Sequence, residues 1–418
     1  MSTVVTPAEP GTKTPSGQAS IGNRSGDQII KVAFDTLALH PRYRHHGIQV
    51  YSRHLLAAFK QMASAHSMEV RPFVSTSDDS AGNTHEEQPG FRPRSTFLLK
   101  FERLWRYGGA SAMAFVHGAD VAFNPAGTSV PIKGLVPTVT TIHDLTPVVM
   151  PSYSRRIASF LKVQLRWAAR FSAAIITVSE CSRKDIVRIC GVPESRIKVI
   201  YEGHDRSLFN DSTPDPDLRK MLLSRLTIEK PYILHHGAVQ PRKNLKRLIE
   251  AYRMMLSRNH NLDFDLVLAG PLAWQFEETV AAARNNAGCC GRVVLAGPLS
   301  DEDLVILIKG ASLEVIPSLY EGFCLPMVEA MACGVPTIAS NNSCLPEISG
   351  GVLRYFDPQS IEEMSACMED VLENQSLRVE LARKGKARAQ DFDWQRCAEE
   401  TLAVLASAAR RKHGSGSH

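Results

Sequence analysis

Two glutamates eight residues apart, Glu321 and Glu329, stand in the stretch EGFCLPMVEAMACG, residues 321–334. The first lies in a loop punctuated by glycine and proline. The second sits inside the apolar run PMVEAMA, where a carboxylate is costly without a partner. Pro326 suits the first position of a helix and Gly334 the residue just past its end, so a short helix is predicted over about 326–333. The backbone N–H groups of Gly322, Phe323, Cys324 and Leu325 gather at its start as an anion-accepting nest, and Gly322 permits close approach. Upstream, VQPRKN places Arg242 and Lys243 between a predicted strand and a predicted helix, where two cations reinforce the helix start's preference for anions. A solvated basic turn is the plainer reading of the same residues. Glu329 would repel a phosphate on the nest, so it fits hydroxyl groups beside it, such as the two of a ribose. TIHD (141–144) ends another strand with His143 and Asp144, a pair found in structural as well as catalytic roles.

These residues need strand ends to carry them. Eleven short apolar runs read as strands and alternate with helical patterns, the mark of parallel α/β architecture. Six precede residue 208, from IIKVAFDT to IKVIYEG; five follow, from PYILHHGA to PTIAS. Ligands of open parallel sheets bind beyond the carboxyl ends of the strands, which is where His143, Arg242, Lys243 and Glu321 fall. Gly47, in RYRHHGIQVY, follows the first strand, but a single glycine is no dinucleotide fingerprint. The polar, proline-containing HDRSLFNDSTPDPDLRKML marks the domain junction. The predicted division is a disordered leader over 1–28, a Rossmann-like domain over 29–208, a second over 209–390, a C-terminal helix over 391–412 and a linker-like tail over 413–418.

With 418 residues the chain exceeds what one core usually serves. A net charge of +5 is small for that length and does not call for nucleic acid. Nine cysteines without a CxxC pair point to reduced thiols in a cytosolic protein, with Cys289–Cys290 as the one conceivable redox pair. No apolar run reaches the length of a membrane span. DFD occurs at Asp263–Asp265 and at Asp391–Asp393, neither of them following a strand, so no metal is assigned.

Two segments combine basic and apolar residues at helical spacing. In RRIASFLKVQLRWAARF (155–171), Arg155, Lys162, Arg166 and Arg170 fall on one stripe, next to Arg156, with Ile157, Phe160, Leu161, Leu165 and Phe171 largely opposite. FLLKFERLWRY (97–107) sets Lys100, Arg103 and Arg106 against Phe97, Leu98, Phe101, Leu104 and Trp105. Helices packed on a sheet with basic outer faces give this pattern. So does docking to an anionic membrane or lipid-phosphate acceptor.

Taken together, EGFCLPMVEAMACGVPTIASNNSCLPEI, YILHHGAVQPRKNLKRLIEAY, ITVSECSRKDI and VIYEGHD resemble the blocks of the GT-B glycosyltransferases of family 4 over roughly residues 30–405. The resemblance implies two Rossmann-like domains facing a deep cleft, with a last helix crossing back to the first domain. It implies that Arg242, Lys243, Gly237 and the Gly322–Leu325 backbone hold the donor diphosphate, Glu321 the donor sugar and Glu329 the ribose. His143 would sit beside the sugar, Gly47 and Ile48 would face the diphosphate and acceptor, and Leu299 would approach the base. The chain departs from the family at Ala238, where an arginine is common, at the single glycine of its first loop, and at Glu202 and His204 in YEGHD.

The resemblance further implies a retaining transferase that needs no metal or other cofactor and uses a GDP- or UDP-sugar. The PRKN segment is similar to that of mannosyltransferases using GDP-mannose in bacterial polysaccharide assembly. The acceptor would be a glycan or a lipid-linked saccharide. A non-catalytic sugar-nucleotide-binding protein and a GT-B epimerase are the alternatives.

Overall fold

The computed structural model describes residues 29–39, 47–73, 104–127, 129–150, 155–285 and 291–414. Its first sheet is built from β1 (Ile30–Asp35), β2 (Met68–Phe73), β3 (Val121–Asn124), β4 (Thr138–Thr141), β5 (Ala174–Thr177) and β6 (Ile197–Val199). They run parallel in the order β2-β1-β3-β4-β5-β6. The second sheet is built from β7 (Tyr232–His236), β8 (Asp265–Ala269), β9 (Val293–Gly297), β10 (Leu313–Ile316), β11 (Thr337–Ser340) and β12 (Arg354–Phe356). These are also parallel, in the order β12-β11-β10-β7-β8-β9.

Every residue of β3, β4, β7, β8, β10 and β11 is buried, as expected for strands covered by helices on both faces. The eleven sequence-derived strands are all present. The twelfth, β12, escaped notice because three residues at a sheet edge are too few to show a period.

Strand order reverses between β1 and β3 in the first sheet and between β7 and β10 in the second. Such switch points open a crevice at the carboxyl ends of the flanking strands. The helix Gly47–Met62 follows β1, the turn with Arg242 and Lys243 follows β7, and the Glu321 loop follows β10. The chain topology thus aims both crevices with the residues singled out above.

The long last helix, Trp394–Gly414, packs on the Gly47–Met62 helix and reaches β1, β3, β4 and β5 of the first domain. Trp394 stacks flat on His54 at a centroid distance of 4.9 Å. Beside it the chain's two crossings between domains pair: His204 bridges to Asp393, and Arg206 forms an ion pair with Asp393 at 3.1 Å.

Further contacts close the domains on one another. The Glu347 carboxylate accepts hydrogen bonds from the N–H groups of Glu180 (2.7 Å) and Cys181 (3.0 Å) at the start of the helix Glu180–Cys190. Tyr320 donates to Asp185 at 2.7 Å. Tyr201, Phe323 and Phe392 form an aromatic cluster across the same seam.

The two basic segments differ from expectation. The helix Arg155–Phe171 forms, but its buried residues are Gln164, Ala168 and Ala169. Ile157, Phe160, Val163 and Trp167 are more than half exposed, on the outer surface with Arg155, Arg156, Arg166 and Arg170, while Lys162 is half-buried. In the other basic segment, Lys100 and Arg103 lie outside the described residues. Helical geometry breaks at Tyr107 and Gly108; Trp105 is buried and donates to Asp35 at 3.2 Å, while Leu104 is exposed and Arg106 exerts its charge on Asp35. The cysteines among the described residues are free thiols, and Cys289–Cys290 lies outside them. Both DFD segments are used in ion pairs: Asp263 with Lys230 at 2.5 Å, Asp391 with Arg388 at 2.8 Å and Asp393 with Arg206.

Candidate active site

The helix predicted over 326–333 runs from Leu325 to Ala332. Cys324 precedes it with φ 76°, a left-handed conformation that turns the chain sharply into the helix. Phe323 puts its ring into the aromatic cluster, leaving the loop's backbone to face the cleft. Gly322 lies where the domains approach closely: a Cβ there would lie 2.6 Å from the His143 carbonyl oxygen and 2.9 Å from the Asp144 Cβ. Any side chain at that position would therefore part the domains. Across the same gap, a Cβ on Gly47 would meet the Leu325 side chain at 3.9 Å, so Gly47 and Ile48 open a helix that faces the loop.

Arg242, Lys243 and Glu321 are brought into one cluster. Arg242 donates to Glu321 Oε2, and Lys243 Nζ lies 2.7 Å from Oε1, which also accepts from Ser318 Oγ at 2.7 Å. Burial pushes the Glu321 carboxyl up, but the adjacent Arg242 and Lys243 outweigh it and hold the group at about 2. The half-buried Arg242 guanidinium is pushed further into its charged form by Glu321 and by Asp144 of the first domain. Two cations against one carboxylate leave a net positive charge on the donor side. Gly237 sits above it with φ 137°, its Cα face turned to Lys243 and His235.

Glu321 spends both oxygens on Arg242, Lys243 and Ser318. It is charged, fixed and shielded, which suits the orientation of a polar ligand and not nucleophilic attack. Glu329 also differs from expectation. Its cost within the apolar helix is met by the protein, because His236 Nε2 bonds Glu329 Oε2 at 3.2 Å and His236 Nδ1 bonds Glu314 Oε1 at 3.1 Å. Burial lowers the His236 proton affinity, but the two carboxylates reverse that and raise it to about 9. Its neighbour His235 behaves oppositely: burial and the Lys243 charge press it down to about 3, with Nδ1 donating to the Val315 carbonyl at 2.8 Å.

On the first domain, His143 is not paired with Asp144, which instead accepts from the Thr146 N–H at 2.9 Å. His143 Nδ1 bonds Glu202 at 2.9 Å and Nε2 bonds the Pro125 carbonyl at 2.8 Å, while Tyr51 packs edge-on at 4.6 Å. With an oxygen partner at each nitrogen the charged form of the ring is favoured. Burial opposes this and Glu202 overrides it, raising its proton affinity. Leu299 is half-buried just beyond β9, packed against the core. The basic residues of the Arg155–Phe171 helix belong to the outer surface, and Arg166 binds the Ile189 carbonyl at 2.7 Å.

Sequence reasoning missed His236, Glu314 and Ser318, and it left Glu202 without a role. One signal was available. A histidine pair and a glutamate inside the strand runs YILHH and LEVI are costly unless they find each other.

Two parallel six-stranded sheets facing one cleft, with a basic cluster on one wall and a C-terminal helix returning to the other, define a GT-B architecture. The sucrose-phosphate synthase of Thermosynechococcus elongatus shares the fold, with a TM-score of 0.68 at 20% identity over 90% of this chain and 98% of that one. The family description "Glycosyl transferases group 1" matches residues 224–388, and "Glycosyltransferase Family 4" matches residues 45–208. The chain belongs to the family 4 glycosyltransferases and is a transferase enzyme. It is 29% identical over 334 residues to the O-antigen chain mannosyltransferase B of Escherichia coli, covering 79% of this chain and 86% of that one. It is 31% identical over 264 residues to the MMP alpha-(1->4)-mannosyltransferase of Mycolicibacterium hassiacum, covering 62% of this chain and 59% of that relative.

Proposed function

We propose that this glycosyltransferase moves mannose from GDP-mannose to a glycan or lipid-linked saccharide with retention of the anomeric configuration. The cluster of Arg242, Lys243 and Glu321 facing His143 across the cleft carries the reading. A donor diphosphate would compete for the two cations and meet the Gly322–Leu325 backbone. Glu321, released on one side, would turn toward sugar hydroxyls. Positive charge fixed where the leaving diphosphate gains negative charge lowers the barrier without reorganisation. Retention by double displacement needs a carboxylate nucleophile about 5 Å from a second carboxyl group. Glu321 is bound to cations and Glu329 to His236, so front-face substitution fits better, with the departing phosphate taking the acceptor proton. The choice of mannose is supported by the names of the two relatives above.

Incubation with GDP-mannose, UDP-glucose and UDP-galactose in turn, followed by anomer-resolved NMR of the product, tests this reading. Preference for a UDP-sugar would overturn the donor, and an inverted linkage would overturn the mechanism.

The same proposal includes contact with an anionic membrane. No helix among the described residues is long and apolar enough to cross one. However, the Arg155–Phe171 helix exposes Phe160 at 58% and Trp167 at 57% beside its arginines, the arrangement of an interfacial helix. Cosedimentation with phosphatidylglycerol vesicles should be lost in an Arg155→Glu/Arg166→Glu/Trp167→Asp variant. Equal binding by both proteins would sink the idea.

A further inference from the structure

Beneath the donor wall lies a carboxylate–imidazole–carboxylate chain. Glu314, fully buried on β10, accepts from both Nδ1 and the backbone N–H of His236, each at 3.1 Å. His236, at the end of β7, passes the contact to Glu329 on the next helix. Only Glu329 is partly exposed, with its side chain at 16%. Its Oε1 makes no hydrogen bond among the described residues, and its charge reaches His54 and His204 across the cleft.

We infer that His236, braced by Glu314, is a positioning residue that fixes Glu329 by one oxygen and leaves the other turned to the ribose hydroxyls of the donor. The inference rests on the reading of this cleft as a sugar-nucleotide site. A glutamate on a helix face has several rotamers, and a ligand that needs one of them loses affinity when the others are populated. Glu314 serves the same end one step removed. Two bonds to one carboxylate oxygen set the imidazole plane; burial raises the proton affinity of Glu314 itself, and its pull on the ring in turn favours a proton on both nitrogens of His236. The groups facing His236 are Glu314 from β10, Glu329 from the helix Leu325–Ala332 and His235 from its own strand, with Lys243 acting on Glu314 from the following turn. The two carboxylates favour the imidazolium against the cost of burial, Lys243 helps to keep Glu314 charged, and His235, held neutral, puts no charge against the ring.

The test measures the KM for GDP-mannose and kcat between pH 6 and 10 in the wild type, Glu314→Gln and His236→Gln. His236→Gln should raise KM about tenfold or more, as expected for a lost charge-assisted bond, with kcat changed far less. In Glu314→Gln the rise of KM at alkaline pH should move to lower pH, because His236 loses its proton more easily. Unchanged KM in both variants, or an unmoved alkaline limb in Glu314→Gln, would overturn the inference.

A measurement on the native protein holds if a variant fails to fold. Competition between GDP and its 2′,3′-dideoxy analogue should show a preference for GDP that fades as pH rises past about 9, where His236 deprotonates. A preference independent of pH overturns the inference alone. Binding of neither nucleotide overturns the inference together with the functional reading beneath it.

Discussion

His143 on the first domain, half-buried, and His236 on the second, buried, are both imidazoles bonded at both nitrogens, and both hold their protons above the ordinary imidazole value. Their partners differ. His143 has one carboxylate and one carbonyl, so that its local charge is balanced. His236 has two carboxylates, so a negative charge remains and Glu329 retains an oxygen for use. The first domain thus presents a wall neutral at the His143–Glu202 pair, with Asp144 beside it acting on Arg242, while the second carries charge of both signs: positive at Arg242 and Lys243, negative at Glu329. Recognition of a ligand with an anionic middle and a hydroxylated end falls to the second domain. The first supplies shape.

The largest effect should come from the charged wall. Lys243→Ala should lower the transfer rate by about 10²–10³, the scale of removing a donor from a developing oxyanion. A loss below about threefold, measured with radiolabelled donor, would deny that this charge stabilises the leaving group.

Next comes the contact between the walls. Gly322→Ala introduces a Cβ where the His143 carbonyl would lie at 2.6 Å. Misplacement of about 1 Å at a reacting centre costs about 10²-fold, so kcat/KM should fall by roughly that factor. Thermal stability of each domain should hardly change; a matching loss of stability would instead locate the damage in folding.

On the neutral wall, Glu202→Gln leaves His143 with a weaker partner and should reduce kcat by about tenfold. If it reduces activity as much as Lys243→Ala does, the contrast between the two walls is lost.

The smallest effect is on stability against pH. An imidazole with raised proton affinity contributes stability fully below its ordinary value near 6.5, and the contribution fades as pH rises to the folded-state value of about 9 for His236. The thermal midpoint should therefore decline from pH 6.5 to above pH 9, and decline less in Glu314→Gln. An equally steep slope in that variant would show that other groups set it.

The sequence carried much of this on its own. The apolar runs before and after residue 208, the glycines and prolines at their ends, and the Glu321–Glu329 stretch suffice for two parallel α/β domains with the basic turn and the loop at strand ends. Strand period and turn chemistry are local properties, so a single chain displays them. The sequence also contained, unread, the conflict of His235, His236 and Glu314 in buried strands.

Partners were decided only in three dimensions. That His143 meets Glu202 and not Asp144 depends on where β6 leads the chain, 59 residues away. That Glu329 is met by His236 depends on β10 lying next to β7. The exposure of Phe160 and Trp167 likewise follows from which face of the helix the small residues Ala168 and Ala169 allow to approach the domain. Helical period shows that a face is apolar; what covers it depends on the surface brought opposite. Burial energies act on whole neighbourhoods, and neighbourhoods in this protein are assembled from strands far apart in sequence.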